Sequence, residues 1–175
     1  MMHLDILQIE TDRLTLRGPI ADDFEVYADF YADPERSKGF GGTLPRDQAW
    51  RWFASMIGHW VLYGYGFWTT VEKATNEIAG FTGIWNPEGW PEPELGWIVL
   101  PHAEGKGIAF ESATAVRNHA YSNMGFTTLT SNIVPGNTRS IALATRLGAT
   151  FEREYENVQM GLDHLYRHPA PEALK

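Results

Sequence analysis

The sequence predicts an α+β domain, a central mixed and mostly antiparallel sheet of about six to seven strands flanked by about four helices. Three observations predict it. Short aromatic and β-branched runs recur between turn-rich segments, as antiparallel strands do. Fewer, longer stretches carry apolar residues at helical spacing. One of these, Ala109, Ala113, Val116, Ala120 and Met124, separates two strand-like runs and makes that pair parallel through a helical crossover. At 175 residues and 43% hydrophobic, the chain fits a single domain spanning 1–175 with a sizeable core.

In chain order, Arg13-Leu14-Thr15-Leu16-Arg17 alternates as a strand with one buried face. Asp22 and Asp23 suit a helix start, and Phe24, Tyr27, Ala28 and Tyr31 continue it until Asp33-Pro34 breaks the pattern. A loop from Glu35 to Thr43, including Gly39-Phe40-Gly41-Gly42, leads to a longer helix. Pro45 suits its first turn, Asp47 its positive end, and Trp50, Phe53, Ala54, Ile57 and Val61 form its core stripe, with Trp52 off it. Phe67–Val71 and Ile78–Trp85 read as a hairpin turning at Asn76, and Asn86–Pro93 as a turn-rich connection. Glu94 then opens the fourth strand, Leu95-Gly96-Trp97-Ile98-Val99-Leu100, stopped by Pro101. After the crossover helix and Gly125, Thr128–Ile133 is a fifth strand, a helix starts at Asn137, and Thr150–Tyr155 with Gln159–Tyr166 form a last hairpin. The tail from Pro169 to Lys175 is expected to fray.

The organising stretch is strand, glycine loop, helix. Gly105 and Gly107 remove side chains ahead of a helix whose first N–H groups lack partners, and Lys106 adds positive charge, so the place favours an anion. By itself a glycine pair before a helix is also what an ordinary turn looks like. It is neither G-x-x-x-x-G-K-[ST] nor a complete dinucleotide fingerprint.

Glu104-Gly105-Lys106-Gly107-Ile108-Ala109 resembles the acetyl-CoA pyrophosphate loop of the GCN5-related N-acetyltransferases (GNAT), [RQ]-x-x-G-x-[GA], with Glu104 where Arg or Gln is usual. Asn137-Thr138-Arg139-Ser140-Ile141-Ala142-Leu143-Ala144-Thr145-Arg146-Leu147-Gly148-Ala149 resembles the family's N-x-x-[SA]-x-x-L-x-x-x-x-G-[FA] helix. Glu10–Arg17 is similar to the start of the ribosomal-protein N-acetyltransferase branch (RimJ/RimL-type). The resemblance implies a GNAT fold whose fourth and fifth strands splay, with pantetheine inserted between them along Trp97, Ile98 and Val99 and an N–H near Ile98 facing the thioester carbonyl. It implies cofactor contacts at Glu104, Gly105, Lys106, Gly107, Ile108, Ala109 and Phe110, and at Asn132 and Asn137, the latter also a candidate helix cap. It places the first two helices on the acceptor side, making Phe40, Trp50, Trp52, Trp60 and Trp85 pocket candidates, although Trp50 sits on the core stripe.

Acetyl transfer to an amine needs a base, an oxyanion donor and a proton for the leaving thiolate. No protein nucleophile is required, in keeping with a chain that has no cysteine. The resemblance makes Glu94 the base, against the plainer reading of a solvated strand-end carboxylate. Glu111, in the first turn of the crossover helix, suits the helix dipole. Ala144 stands where relatives carry a catalytic tyrosine, which leaves Ser140, Tyr155 or solvent as the acid. His164 and His168 lack companion ligands and read as surface histidines, so no metal is expected.

The net charge of −8 argues against a nucleic-acid surface. Met1-Met2-His3-Leu4-Asp5 begins no signal peptide, and no run has membrane-spanning length, so a cytoplasmic monomer or homodimer is expected. The leading expectation is acetyl-CoA-dependent N-acetyl transfer to a small-molecule amine or a protein N-terminus. The alternatives are a non-catalytic acyl-CoA-binding module and a nucleotide-binding protein using the glycine loop.

Overall fold

Strand β5 (Glu94–Val99) runs through the middle of the sheet and joins its two halves. The computed structural model describes residues 5–174, so Met1–Leu4 and Lys175 lie outside it. Across the sheet the order is β1 (Ile9–Glu10), β2 (Leu14–Arg17), β3 (Phe67–Glu72), β4 (Glu77–Trp85), β5, β6 (Thr130–Ile133), β8 (Gly161–Arg167) and β7 (Thr150–Asn157). Only β5 and β6 pair in parallel, and the crossover between them is α4 (Ile108–Asn123). The eighth strand is the two-residue β1, too short to show an alternation, which pairs Ile9 with Leu16. Asn76 takes the left-handed conformation (φ 58°) that its hairpin turn requires.

Alternation along the strands sends side chains to two cores. On one face Phe81, Trp85 and Ile98 pack under α1 (Phe24–Ala32) and α3 (Arg46–Tyr63). On the other, Trp68, Ile84, Leu95 and Trp97 pack under Ala113, Val116 and Ala120 of α4, whose small side chains let the helix lie close. The buried Asp23 ties the sheet to α1: it accepts from Arg17 (2.7 and 2.8 Å), from the Ile20 N–H (2.9 Å) and from the Thr69 hydroxyl (2.7 Å). It caps no N–H of α1, and its bond from the Ile20 N–H instead closes the 3-10 turn Ala21–Asp23 that leads into that helix.

Two expectations are corrected. Pro34 ends α1 but also begins a further helical turn, α2 (Pro34–Ser37), because the Asp33 carboxylate accepts from the N–H groups of Glu35 and Arg36; the segment after Glu35 is thus partly helical. In α3 the core face is Ala49, Phe53, Met56 and Trp60, while Trp50 and Val61 are 57% and 52% exposed. The helix is apolar around much of its girth, so spacing alone permits two stripes. Packing decides between them: Phe53 sits 5.8 Å from Phe24 and 5.5 Å from Tyr27. At the C-terminus, where fraying is expected, Pro171–Leu174 form a 3-10 turn, and α5 (Thr138–Arg146) precedes the last hairpin.

Candidate active site

The site begins where β5 and β6 part. Their ladder holds one residue pair, Glu94 with Thr130. At the next position the Ser131 hydroxyl donates to the Leu95 carbonyl (2.6 Å), and the buried His168 Nε2 lies 2.9 Å from that hydroxyl. Beyond this brace β6 pairs only with β8, and β5 only with β4, leaving a wedge. The Leu100 N–H donates to Ala79 O (2.8 Å), so counting in twos turns the Ile98 backbone toward β4 and the Trp97 and Val99 backbone toward the wedge. Ile98 O indeed approaches β4 so closely that a Cβ on Gly80 would meet it at 2.0 Å. The backbone groups facing the wedge thus belong to Trp97 and Val99; Ile98 is among the cavity-lining residues.

The glycine loop opens at the start of α4. Gly105 and Gly107 have φ of 73° and 77°, and Gly107 caps the helix without a side chain. The N–H of Glu111 is the first to bond back within the helix, to Gly107 O (3.1 Å), so the N–H groups of Ile108, Ala109 and Phe110 ahead of it have no intrahelical acceptor. A Cβ on Gly105 would meet nothing within 4 Å, and one on Gly107 only Arg13 Nη2 at 3.6 Å. This open cradle fits a pyrophosphate. Arg13 fixes it from behind, donating to Lys106 O (2.8 Å) and to Glu111 (2.6 Å). Glu111 also accepts from the Thr11 hydroxyl; burial pushes its carboxyl up, but these bonds hold it below the usual range. Glu104, at the position where Arg or Gln was expected, is engaged by Arg36 (2.5 Å) and Arg139 (3.0 Å).

The wedge opens into a cavity of about 430 Å³ whose walls include Phe40, Trp52 and Trp85. Trp50, exposed, and Trp60, buried with its indole N–H on Phe67 O (2.9 Å), do not line it. Glu94, Asn132, Ser140 and Asn137 do. Asn137 caps α5 by accepting from Ser140 N (3.2 Å), and the Trp97 indole donates to Ser140 Oγ (3.3 Å). Ala144 is fully buried in the core and offers no proton donor. Glu94 accepts from the Asn132 amide, and burial pushes its carboxyl up to about 8.

Beside it is a residue that sequence reasoning missed. Asp163 is 1% exposed, lines the cavity and accepts long contacts (3.4 Å) from Tyr155 and Asn157, and burial pushes it up to about 6. Strand register puts it on the same sheet face as Asn132, since Asn132 pairs with Leu165 two residues on. An acid at an inward position of an alternating strand was the available signal. Tyr155 is not among the cavity-lining residues; burial raises its hydroxyl. His168 is no surface histidine: it is buried, and its imidazole is pushed down to about 3. His164 pairs with Glu154 (3.0 Å), and no three His, Asp or Glu among the described residues are grouped to hold a metal.

The family model described as acetyltransferase (GNAT) domain matches residues 13–150. The chain belongs to the GNAT family. This GNAT chain is 34% identical to an acetyltransferase from Agrobacterium tumefaciens of known structure, with a TM-score of 0.87 over 97% of this chain and 98% of that one. It is 29% identical to an uncharacterized N-acetyltransferase, p20, of Bacillus licheniformis, over 89% of this chain and 91% of the relative. The fold extends to an acetyltransferase from Salmonella typhimurium that modifies the N-terminal serine of ribosomal protein L7/L12, at 15% identity, a TM-score of 0.77, and 93% and 98% coverage. Among the described residues no helix is long and apolar enough to cross a membrane.

Proposed function

We propose that this GNAT chain moves the acetyl group of acetyl-CoA to a primary amine by direct attack in a ternary complex. The observation that carries the reading is the placement of Glu94: a half-buried carboxylate at the closed end of the wedge, facing the same cavity as the wedge backbone. Acetyl-CoA, as substrate, supplies the activated acyl carbon. The backbone of Trp97 and Val99 suits the pantetheine arm, and the loop from Gly105 to Gly107 with the first N–H groups of α4 suits the pyrophosphate. Asn132 and Asn137 present amides to the same wedge.

An alkyl ammonium has pKa near 10.4, so only about one molecule in two thousand is neutral at pH 7 and proton removal is part of the barrier. Glu94, raised to about 8, is a stronger base than an ordinary carboxylate and closer to the amine it serves. Ser140 Oγ accepts from Trp97 and keeps its own proton free to donate, which suits it to the departing thiolate now that Ala144 fills the tyrosine position.

The test is CoA binding by calorimetry together with thiol release from acetyl-CoA on adding primary amines. Expected are saturable CoA binding and an amine product heavier by one acetyl group. Binding of CoA with no transfer to any amine or peptide N-terminus would favour the non-catalytic module.

A further inference from the structure

The cavity beside the wedge has a chemistry of its own. Tyr27, Tyr31, Phe40, Trp52, Trp85 and Trp90 line it, and among the described residues no Lys, Arg or His does. The aromatic wall is held in place from behind. His59 stacks on Trp85 at 4.6 Å and is itself fixed, its Nδ1 on Tyr65 O (2.7 Å) and its Nε2 accepting from Asn86 N (3.2 Å). Phe67 and Trp52 lie 5.8 and 6.3 Å from the same ring.

At the polar end, Asn132 Oδ1 and Asp163 Oδ1 are buried hydrogen-bond acceptors with no partner, beside the Glu94 carboxylate. Unmet buried acceptors are costly unless something donates to them. A primary ammonium carries three donors and no acceptor, which matches two carboxylates and an amide oxygen. A carboxylate on the ligand would meet Glu94 and Asp163 with no cation to offset them.

Across the rim, the connection after α2 meets the far side of the sheet. A Cβ on Gly39 would strike the Asn137 amide at 2.3 Å, and one on Gly41 would reach Met160 Sδ at 3.2 Å.

Resting on the acetyl-transfer reading, we infer that the acceptor is a compact arylalkylamine lacking a carboxylate, its ring in the aromatic wall and its ammonium between Glu94, Asp163 and Asn132. Asp163 is then a specificity residue, holding the ammonium that Glu94 deprotonates, and the aromatic faces add cation–π attraction.

Phenethylamine and phenylalanine differ only by the carboxylate, so the experiment titrates each, and a seryl peptide amide, onto the CoA-saturated wild-type protein by calorimetry at pH 8. Phenethylamine is expected to bind at least about tenfold more tightly than either, a difference of about 1.4 kcal/mol. Asp163→Asn, nearly isosteric, should remove most of that preference while the Kd for CoA stays unchanged. Equal or tighter binding of phenylalanine or the peptide, or an Asp163→Asn protein with undiminished preference, overturns the inference. Failure of CoA itself to bind in the first step would instead overturn the acetyl-transfer reading.

Discussion

Glu94 owes its basicity to where β5 begins. Its neighbour across the ladder is Trp85 and its parallel partner is Thr130, and the hydrogen bonds that Asn132 and Trp90 offer do not offset the loss of water around its charge. Glu94→Gln keeps the shape and removes the base, so kcat should fall by roughly 10²–10⁴ while CoA affinity barely moves. With Glu94 ionising near 8, wild-type kcat should rise with pH through that value, and the variant should lack the inflection; its deficit should shrink at high pH, where the amine is already neutral. Steady-state kinetics across pH on the true acceptor decide it, and a variant with wild-type kcat at pH 7 makes Glu94 a structural carboxylate. Glu94 was singled out in the sequence because its place at the head of the strand matches a family position. Asp163 was not, because no motif surrounds it and its role arises only when β8 inserts beside β6.

At the scale of elements, local chemistry written in glycine, proline and asparagine was readable in advance, whereas faces chosen by packing were not. The loop before α4 and the Asn137 cap of α5 follow from conformational rules that act within a few residues. The buried side of α3 depends on Tyr27, Phe24 and Phe81, distant in sequence, and the helix's own pattern points one position away. The same contrast makes the glycine loop a clean target. A side chain at Gly107 would meet only the tip of Arg13, at 3.6 Å, so space there is free in the protein and needed by a phosphate. Gly107→Val should therefore raise the Kd for CoA by about tenfold or more, some 1.4 kcal/mol. Because φ at this position is 77°, the branched residue also strains the loop, and a thermal melt must accompany the calorimetry. Unchanged CoA affinity in a folded variant would mean that the pyrophosphate sits elsewhere.

For the whole molecule, the site is built at the expense of stability, and pH exposes that cost. Glu94 is held near 8 and Asp163 near 6 in the fold, against ordinary carboxylate values of 4.5 and 3.8. Folding raises both, so their contribution is fully present below the unfolded values and is lost as pH rises through the folded ones. Asp23 acts in the opposite sense: burial alone would raise it, but Arg17, Ile20 and Thr69 hold it below its ordinary value of 3.8, so its contribution is present above that value and is lost on acidification. His168, near 3 in the fold and 6.5 in its reference state, likewise favours the fold above its reference value and less so in acid. Stability should climb out of acid on Asp23 and His168 and then decline toward pH 8 on Glu94 and Asp163. The double variant Glu94→Gln, Asp163→Asn keeps the first limb and removes the second. Its Tm relative to wild type should therefore rise steadily from pH 5 to pH 8 and level off above, whatever the variant's activity. Thermal melts at matched ionic strength measure this directly, and a Tm difference that stays flat across that window would show that the two carboxylates are not held protonated by burial in the folded protein.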